Sequence, residues 1–123
     1  MPDSPTRLVV KVTCGTEALE RLNQGFTVAA TALASGLEVS LWLTGEATWM
    51  AVPGRAEAVD LPHAARLADL RDALLAGATV TVCGQCAARR DLAEPDLIGG
   101  TAIRGAAAFV EEVMAPDCRA LVY

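Results

Sequence analysis

The stretch Ala78-Thr79-Val80-Thr81-Val82-Cys83-Gly84-Gln85-Cys86-Ala87-Ala88-Arg89-Arg90 changes from a strand pattern to a helix pattern at its two cysteines. The part from Ala78 to Val82 is apolar and rich in β-branched residues, which is typical of a buried strand. A strand that runs into a helix is the repeating unit of α/β folds. In open α/β sheets, functional sites form beyond the carboxyl ends of the strands. The segment therefore predicts both the fold class and the place of a site.

Other strand patterns lie on both sides of this segment. Similar apolar runs occupy Arg7–Thr13, Leu37–Leu43 and Arg119–Tyr123, and a weaker one occupies Thr101–Arg104. Runs of this kind suit a parallel sheet that is covered on both faces. We therefore expect a three-layer α/β/α domain with a mostly parallel, five-stranded sheet.

Helix patterns alternate with these strands. An apolar stripe at helical spacing runs from Glu17 to Ser35, where Thr16 is a candidate N-terminal cap and Gly36 a candidate stop. A second helix ends near Gly77 and a third ends at Pro116. Between Thr44 and Asp60 the pattern is weaker and predicts a short helix around Trp49. The alternation favours parallel strands joined by right-handed crossovers.

Composition excludes several classes of protein. Of the 123 residues, 53% are hydrophobic and 20% charged, which excludes intrinsic disorder. This length predicts one domain over residues 1–123, with a flexible tail at 1–6. The net charge of -5 argues against binding to nucleic acid or to anionic membrane surfaces. No apolar run approaches the ~20 residues of a membrane span. The start lacks a secretory signal pattern, so we expect a cytoplasmic protein whose four cysteines are thiols.

Cys83 and Cys86 are the candidate catalytic residues. A cysteine at the start of a helix lies near free backbone N–H groups, which favour its thiolate, and Arg89 and Arg90 add positive charge. The pair is compatible with a dithiol redox site, with half of a zinc site, or with sulfur transfer through a persulfide. A cysteine that merely ends a buried strand is the alternative for Cys83.

The remaining candidates have weaker signals. Cys14 and Glu46 follow the first two strands and could line the same site. His63 is expected at the surface, and Cys118 is expected to pack at the start of the last strand. The chain lacks the glycine-rich phosphate loop and the dinucleotide fingerprint, so no cofactor is expected. With a single close cysteine pair, no structural metal is expected either.

Nearly the whole chain resembles the small DsrE/DsrF-like proteins, which are relatives of the DsrE, DsrF and DsrH and of the TusB, TusC and TusD sulfur-relay subunits. The resemblance is carried by Phe26-Thr27-Val28-Ala29, Glu38-Val39-Ser40-Leu41-Trp42-Leu43-Thr44-Gly45-Glu46, Val82-Cys83-Gly84-Gln85-Cys86-Ala87-Ala88-Arg89-Arg90, Asp96-Leu97-Ile98, Gly105-Ala106 and the last strand. In DsrE and TusD a cysteine at a strand end, followed by small residues and an arginine pair, carries sulfur. Cys83 stands at that position, and Cys86 is additional.

The resemblance implies strand order 4-3-2-1-5 and a homo-oligomer. The high apolar content of so small a domain also predicts an oligomer, with Trp42, Leu43 and Trp49 as candidate subunit contacts. It implies a cysteine-based sulfur carrier, a sulfurtransferase or sulfur-relay subunit with a protein donor or acceptor of sulfur. Cys83 would accept sulfane sulfur, Cys86 would resolve the persulfide or protect the thiolate, and Gly84 and Gln85 would present their N–H groups. A structural or regulatory subunit with an inert dithiol is the alternative.

That strand order also bears on which cysteines can pair. The second strand would separate Cys14 from Cys83 by roughly 10 Å between Cα atoms, because neighbouring strands lie about 4.8 Å apart. A disulfide needs Cα atoms within about 7 Å. Oxidation is therefore expected to join Cys83 to Cys86.

Overall fold

The computed structural model of the chain describes residues 6–123. Alternating strands and helices follow the order that the sequence predicts. Their bounds are β1 Arg7–Val12, α1 Leu19–Ala34, β2 Glu38–Leu43, α2 Leu67–Gly77, β3 Thr79–Cys83, α3 Gly84–Arg89, β4 Thr101–Arg104, α4 Ala106–Val113 and β5 Cys118–Val122. Of the predicted tail, residues 1–5 lie outside the described part, and the Thr6 hydroxyl donates a 2.9 Å hydrogen bond to the Asp117 carboxylate.

The five strands form one sheet in the order β4-β3-β2-β1-β5, and every adjacent pair is parallel. This confirms the predicted fold class and strand order, including the weak strand Thr101–Arg104. Because β1, β2 and β3 are neighbours, the loops that follow them leave the same edge of the sheet. The register aligns Lys11 with Trp42 and Trp42 with Thr81 on one face.

Helices cover both faces of the sheet, as the predicted three layers require. On one face, α1 packs closely on β1 because Gly25 has no side chain: a Cβ atom there would lie 2.6 Å from Cγ2 of Val12. On the other face, α4 places Phe109 edge-on against Trp42, with ring centroids 5.3 Å apart. Val12 and Lys11 are adjacent in β1 and therefore face opposite layers.

Helix α1 ends as predicted but begins differently. Gly36, with φ +92, stops the helix, and the Leu37 N–H bonds to the Ala32 carbonyl. The predicted cap by Thr16 is wrong. Thr16–Ala18 form a 3-10 turn instead, and the Glu17 carboxylate accepts the N–H of Gly15 at 2.7 Å. Glu17 therefore accepts an N–H that precedes the turn, and not the N–H groups at the helix start that a Thr16 cap would have accepted.

The segment after β2 forms a 3-10 helix over Gly45–Ala51, which agrees with the short helix expected around Trp49. Further along, Arg71 of α2 is buried and makes a two-pronged ion pair with Glu57, at 2.9 and 2.7 Å. That pair ties the excursion between β2 and α2 to the body of the domain.

The apolar residues left at the surface differ from those expected as subunit contacts. Trp42 is 2% exposed and Leu43 is fully buried within the chain itself. Neither side chain can therefore make the contact with a second subunit that the sequence analysis expected. The sheet and α4 bury them because β2 is a central strand. Among the described residues, the large apolar side chains most exposed are Val110 on α4, Met114 directly after α4, and Val122 on β5.

Among the described residues, no helix is long and apolar enough to cross a lipid bilayer.

Candidate functional site

Three loops meet at the carboxyl edge of the sheet, after β1, β2 and β3. Two glycines allow the first two loops to touch. A Cβ on Gly45 would lie 2.6 Å from the Thr13 carbonyl oxygen, and one on Gly15 would lie 2.7 Å from the Glu46 carbonyl oxygen. Gly45 also has φ +53, which glycine adopts at little cost. The tight contact fixes the Gly45 amide beside the third loop.

The third loop holds the two candidate cysteines. Cys83 is the last residue of β3, and it directly precedes α3 with extended backbone angles (φ -64, ψ 126). It is half-buried, whereas Cys86 on the first turn of α3 is only 9% exposed. The backbone N–H of Gly45 donates a hydrogen bond of 3.2 Å to the sulfur of Cys86. The loop after β2 thus contacts Cys86 of the predicted pair.

The pKa of Cys83 lies below its ordinary value, because several favourable contacts outweigh burial. Burial itself acts to raise this pKa. Against it act the N–H and the side chain of Cys86, the N–H of Gln85 and the positive charge of Lys11. A lowered pKa increases the fraction of Cys83 that is thiolate at a given pH.

These contacts differ in part from those expected. The Gln85 and Cys86 N–H groups are among the contacts that lower the pKa of Cys83, whereas the sequence analysis named Gln85 and Gly84 as donors. Gly84 lies half-buried against Ile103, with a would-be Cβ 3.6 Å from Cγ2. The reason is geometric, since N–H groups further into the first turn point back at the residue before the helix.

The arginines act differently from the prediction. Arg89 is exposed, and Arg90 has a partner. Its Nε and Nη2 donate to the Glu46 carboxylate at 3.0 and 2.7 Å, while its Nη1 donates to the Cys86 carbonyl at 3.0 Å. Arg90 lowers the pKa of Glu46, which also accepts a hydrogen bond from Trp49 Nε1. We call this contact the Glu46–Arg90 brace, because it ties the loop after β2 to α3.

Lys11 was missed at the sequence level. It is the single lysine of the chain, it lies in the middle of β1, and its ammonium group lies 4.7 Å from the centroid of Phe109. The alternation of side chains along β1 could have identified it. Lys11 shares its face with Trp42 and Thr81, and Cys83 follows Thr81 by two residues on that same face.

The other two cysteines have different surroundings. Cys14 is buried, and its thiol donates to the Ala18 carbonyl at 3.9 Å. Burial, followed by the charge of Glu17, raises the pKa of Cys14. Burial also raises the pKa of Cys118, at the opposite end of β5. Neither thiol is activated in the way that Cys83 is.

His63 is exposed, as predicted, and lies in the turn before α2 with φ +59. Within residues 6–123, no group of three or more histidine, cysteine, aspartate or glutamate side chains is arranged to hold a metal ion.

Comparison with known proteins identifies relatives of the chain and a solved structure with the same fold. Two uncharacterized proteins of Methanocaldococcus jannaschii are related to it. MJ0989 is 34% identical over 76% of this chain and 82% of its own length, and MJ0760 is 32% identical over 87% of this chain. The chain spans only 39% of the length of MJ0760. The crystal structure of the YchN protein from E. coli has the same fold, with a TM-score of 0.77 over 97% of this chain and 99% of YchN, at 18% identity.

The family comparison covers most of the domain. The model of the DsrE/DsrF-like family matches residues 7–117, from the start of β1 to the residue before β5. The matched region therefore includes both cysteines, the Glu46–Arg90 brace and four of the five strands. The chain belongs to the DsrE/DsrF-like family.

Proposed function

We propose that the protein carries sulfane sulfur as a persulfide on Cys83. The observation that supports this most is the set of contacts around Cys83, where the Gln85 and Cys86 N–H groups and the charge of Lys11 lower its pKa. A thiolate, not a thiol, is the nucleophile in such chemistry. Membership of a family linked to sulfur relay supports the same role.

The loading step follows from this thiolate. The Cys83 sulfur attacks the sulfane sulfur of a donor, a bond forms between the two sulfurs, and the donor leaves with the electron pair of the bond that breaks. The product is a Cys83 persulfide anion. The hydrogen bonds that stabilise the thiolate are also in position to stabilise this anion. The donor is a protein persulfide or another sulfane sulfur compound.

A dithiol redox protein is the second candidate. It is favoured by one contact, the approach of the Cys86 side chain to the Cys83 sulfur. A pair of cysteines three residues apart at a helix start is also the arrangement of disulfide oxidoreductases. The two candidates differ in whether a sulfur atom is acquired.

Two further parts of the proposal concern surroundings. The cytoplasm is the compartment that keeps such a dithiol reduced. A homo-oligomer is supported by the exposed apolar side chains Met114, Val110 and Val122 on adjoining elements.

Mass spectrometry of the intact protein tests the loading step. The reduced protein is incubated with a cysteine desulfurase and cysteine, then separated and measured. We expect the wild type and Cys118→Ser to gain a sulfur atom or to become oxidised at Cys83, and Cys83→Ser to do neither. An unchanged wild-type protein would favour an inert dithiol. Oxidation by an ordinary disulfide, without any uptake of sulfur from the desulfurase, would favour the redox protein.

A further inference from the structure

The buried thiol of Cys86 lies where it can attack a persulfide on Cys83. Cys83 directly precedes α3 and Cys86 is the third residue of that helix, which is the spacing at which the cysteine pairs of disulfide oxidoreductases join. The Cys86 side chain lies close enough to the Cys83 thiol to lower its pKa. A group held beside its reaction partner reacts much faster than the same group free in solution.

The surroundings of Cys86 suit this attack. The Gly45 N–H, 3.2 Å from the Cys86 sulfur, stabilises negative charge on that sulfur as its proton leaves. At the same time Arg90 holds the Cys86 carbonyl. Because Cys86 is only 9% exposed while Cys83 is half-buried, an external donor meets Cys83 first. The two cysteines are thus positioned for successive steps.

We propose that Cys86 discharges the Cys83 persulfide and that the sulfur leaves the protein as hydrosulfide. This inference rests on the proposed function, since it requires a persulfide on Cys83. It specifies the fate of the sulfur, which is released as a small anion instead of being handed to a protein thiol. Gly45 is then a positioning residue for the discharge.

The discharge step balances without an external oxidant. The Cys86 sulfur forms a bond to the Cys83 sulfur, and the bond between the Cys83 sulfur and the terminal sulfur breaks. The terminal sulfur takes the electron pair of that bond and the Cys86 proton, and departs as HS⁻. The two cysteines lose two electrons and become a disulfide, while the sulfane sulfur is reduced to sulfide. A dithiol reductant then returns the pair to two thiols.

An acceptor protein would have to compete with Cys86 for the persulfide. Cys86 is covalently fixed beside it, whereas an acceptor must first bind and orient. We therefore expect the wild-type persulfide to be short-lived, and the variant that lacks the Cys86 thiol to retain it.

The experiment is a single loading with inorganic polysulfide under anaerobic conditions, without added thiol. Monobromobimane traps released sulfide, and intact mass follows the protein. The proteins are the wild type, Cys86→Ser, Cys83→Ser as the blank for sulfide in the polysulfide, and Cys118→Ser as the matched control. We expect wild type and Cys118→Ser to lose the added sulfur, form the Cys83–Cys86 disulfide and release sulfide in equal amount.

Cys86→Ser should retain its persulfide at least about tenfold longer and release no sulfide above the blank. Equal persulfide lifetimes in wild type and Cys86→Ser would overturn the hydrosulfide proposal and leave the sulfur-carrier function standing. Failure of both proteins to load would overturn the proposed function, and this inference with it.

Discussion

The amide of Gly45 donates a 3.2 Å hydrogen bond to the sulfur of Cys86, which links the loop after β2 to the first turn of α3. The amide points there because Gly45 has φ +53 and because its α-carbon lies tight against the Thr13 carbonyl. A side chain at this position would meet that carbonyl at 2.6 Å. A backbone conformation, not a reactive side chain, therefore positions the buried thiol.

Gly45→Ala should destabilise the protein and change the dithiol. A positive φ costs alanine about 1–2 kcal/mol, and the clash with the Thr13 backbone adds roughly 1–3 kcal/mol of packing strain. Gly54→Ala is the matched control, since Gly54 has φ +87 and open space around its α-carbon. Denaturant unfolding of the two variants measures the difference.

The same pair of variants tests the link to the site. We expect Cys83 alkylation to change in Gly45→Ala, because Cys86 loses its backbone donor, and to stay at the wild-type rate in Gly54→Ala. Equal stability losses together with equal alkylation rates would contradict the assigned role of Gly45.

Cys83 should titrate at lower pH than Cys118. The pKa of Cys83 is below its ordinary value and burial raises that of Cys118, so the alkylation rate of Cys83 should reach half its maximum at the lower pH. Lys11→Met removes a nearby positive charge and should move the Cys83 midpoint upward while leaving that of Cys118 in place. Site-resolved iodoacetamide labelling across pH measures both midpoints. A Cys83 midpoint at or above the free-thiol value of ~8.5 would contradict thiolate activation.

The sequence predicts strands and helices well here because β-branched runs and helical stripes report local burial. Even the weak strand Thr101–Arg104 is present. Cys83 and Cys86 could be singled out because they are three residues apart in the sequence and fall at a strand-to-helix junction. The hydrogen bond from Gly45 to Cys86 could not be predicted, since the conformation of Gly45 depends on its packing against Thr13 at the end of the neighbouring strand.

The arginine pair shows the same limit. Its charge is evident in the sequence, but only the fold decides that Arg90 turns to Glu46 while Arg89 faces solvent. The Arg90 guanidinium is engaged by the Glu46 carboxylate and the Cys86 carbonyl.

Lysine should not be able to replace Arg90 in the Glu46–Arg90 brace. A lysine retains the charge but lacks the planar fork that allows Arg90 to contact the Glu46 carboxylate twice and the Cys86 carbonyl once. We expect Arg90→Lys to lose up to about 1 kcal/mol of stability, since Glu46 is largely exposed. Arg89→Lys is the control, because it makes the same arginine-to-lysine substitution at a neighbouring exposed residue. A loss in Arg89→Lys as large as that in Arg90→Lys would contradict the brace.

Glu57 should make the stability of the protein depend on acid. Arg71 lowers the pKa of Glu57 to about 2, whereas a glutamate in the unfolded chain titrates near ~4.3. The group therefore stabilises the fold fully above the unfolded value, and loses this contribution as pH falls toward about 2. The stability gap between wild type and Glu57→Gln should shrink as pH falls from 7 to 3, as measured by denaturant unfolding.

The control for Glu57 is Glu20→Gln, which also removes one carboxylate from an exposed position. It corrects for the change in net charge that both variants share. A gap between wild type and Glu57→Gln that is constant with pH would mean that the ion pair with Arg71 does not contribute in solution.

The exposed apolar side chains of α4 and β5 should hold copies of the chain together. Met114 is 75% exposed and Val122 63% exposed, on elements that follow one another at the edge of the sheet where β5 lies. Exposed apolar surface marks protein contacts when its side chains form one patch. Sedimentation at micromolar concentration should therefore give a mass above the 12.8 kDa of one chain.

Met114→Glu should lower that mass, because it would bury a charge in the contact, whereas Ala73→Glu on the exposed side of α2 should leave it unchanged. A wild-type protein that sediments as a single chain, or a Met114→Glu mass equal to that of Ala73→Glu, would mean that this surface faces solvent.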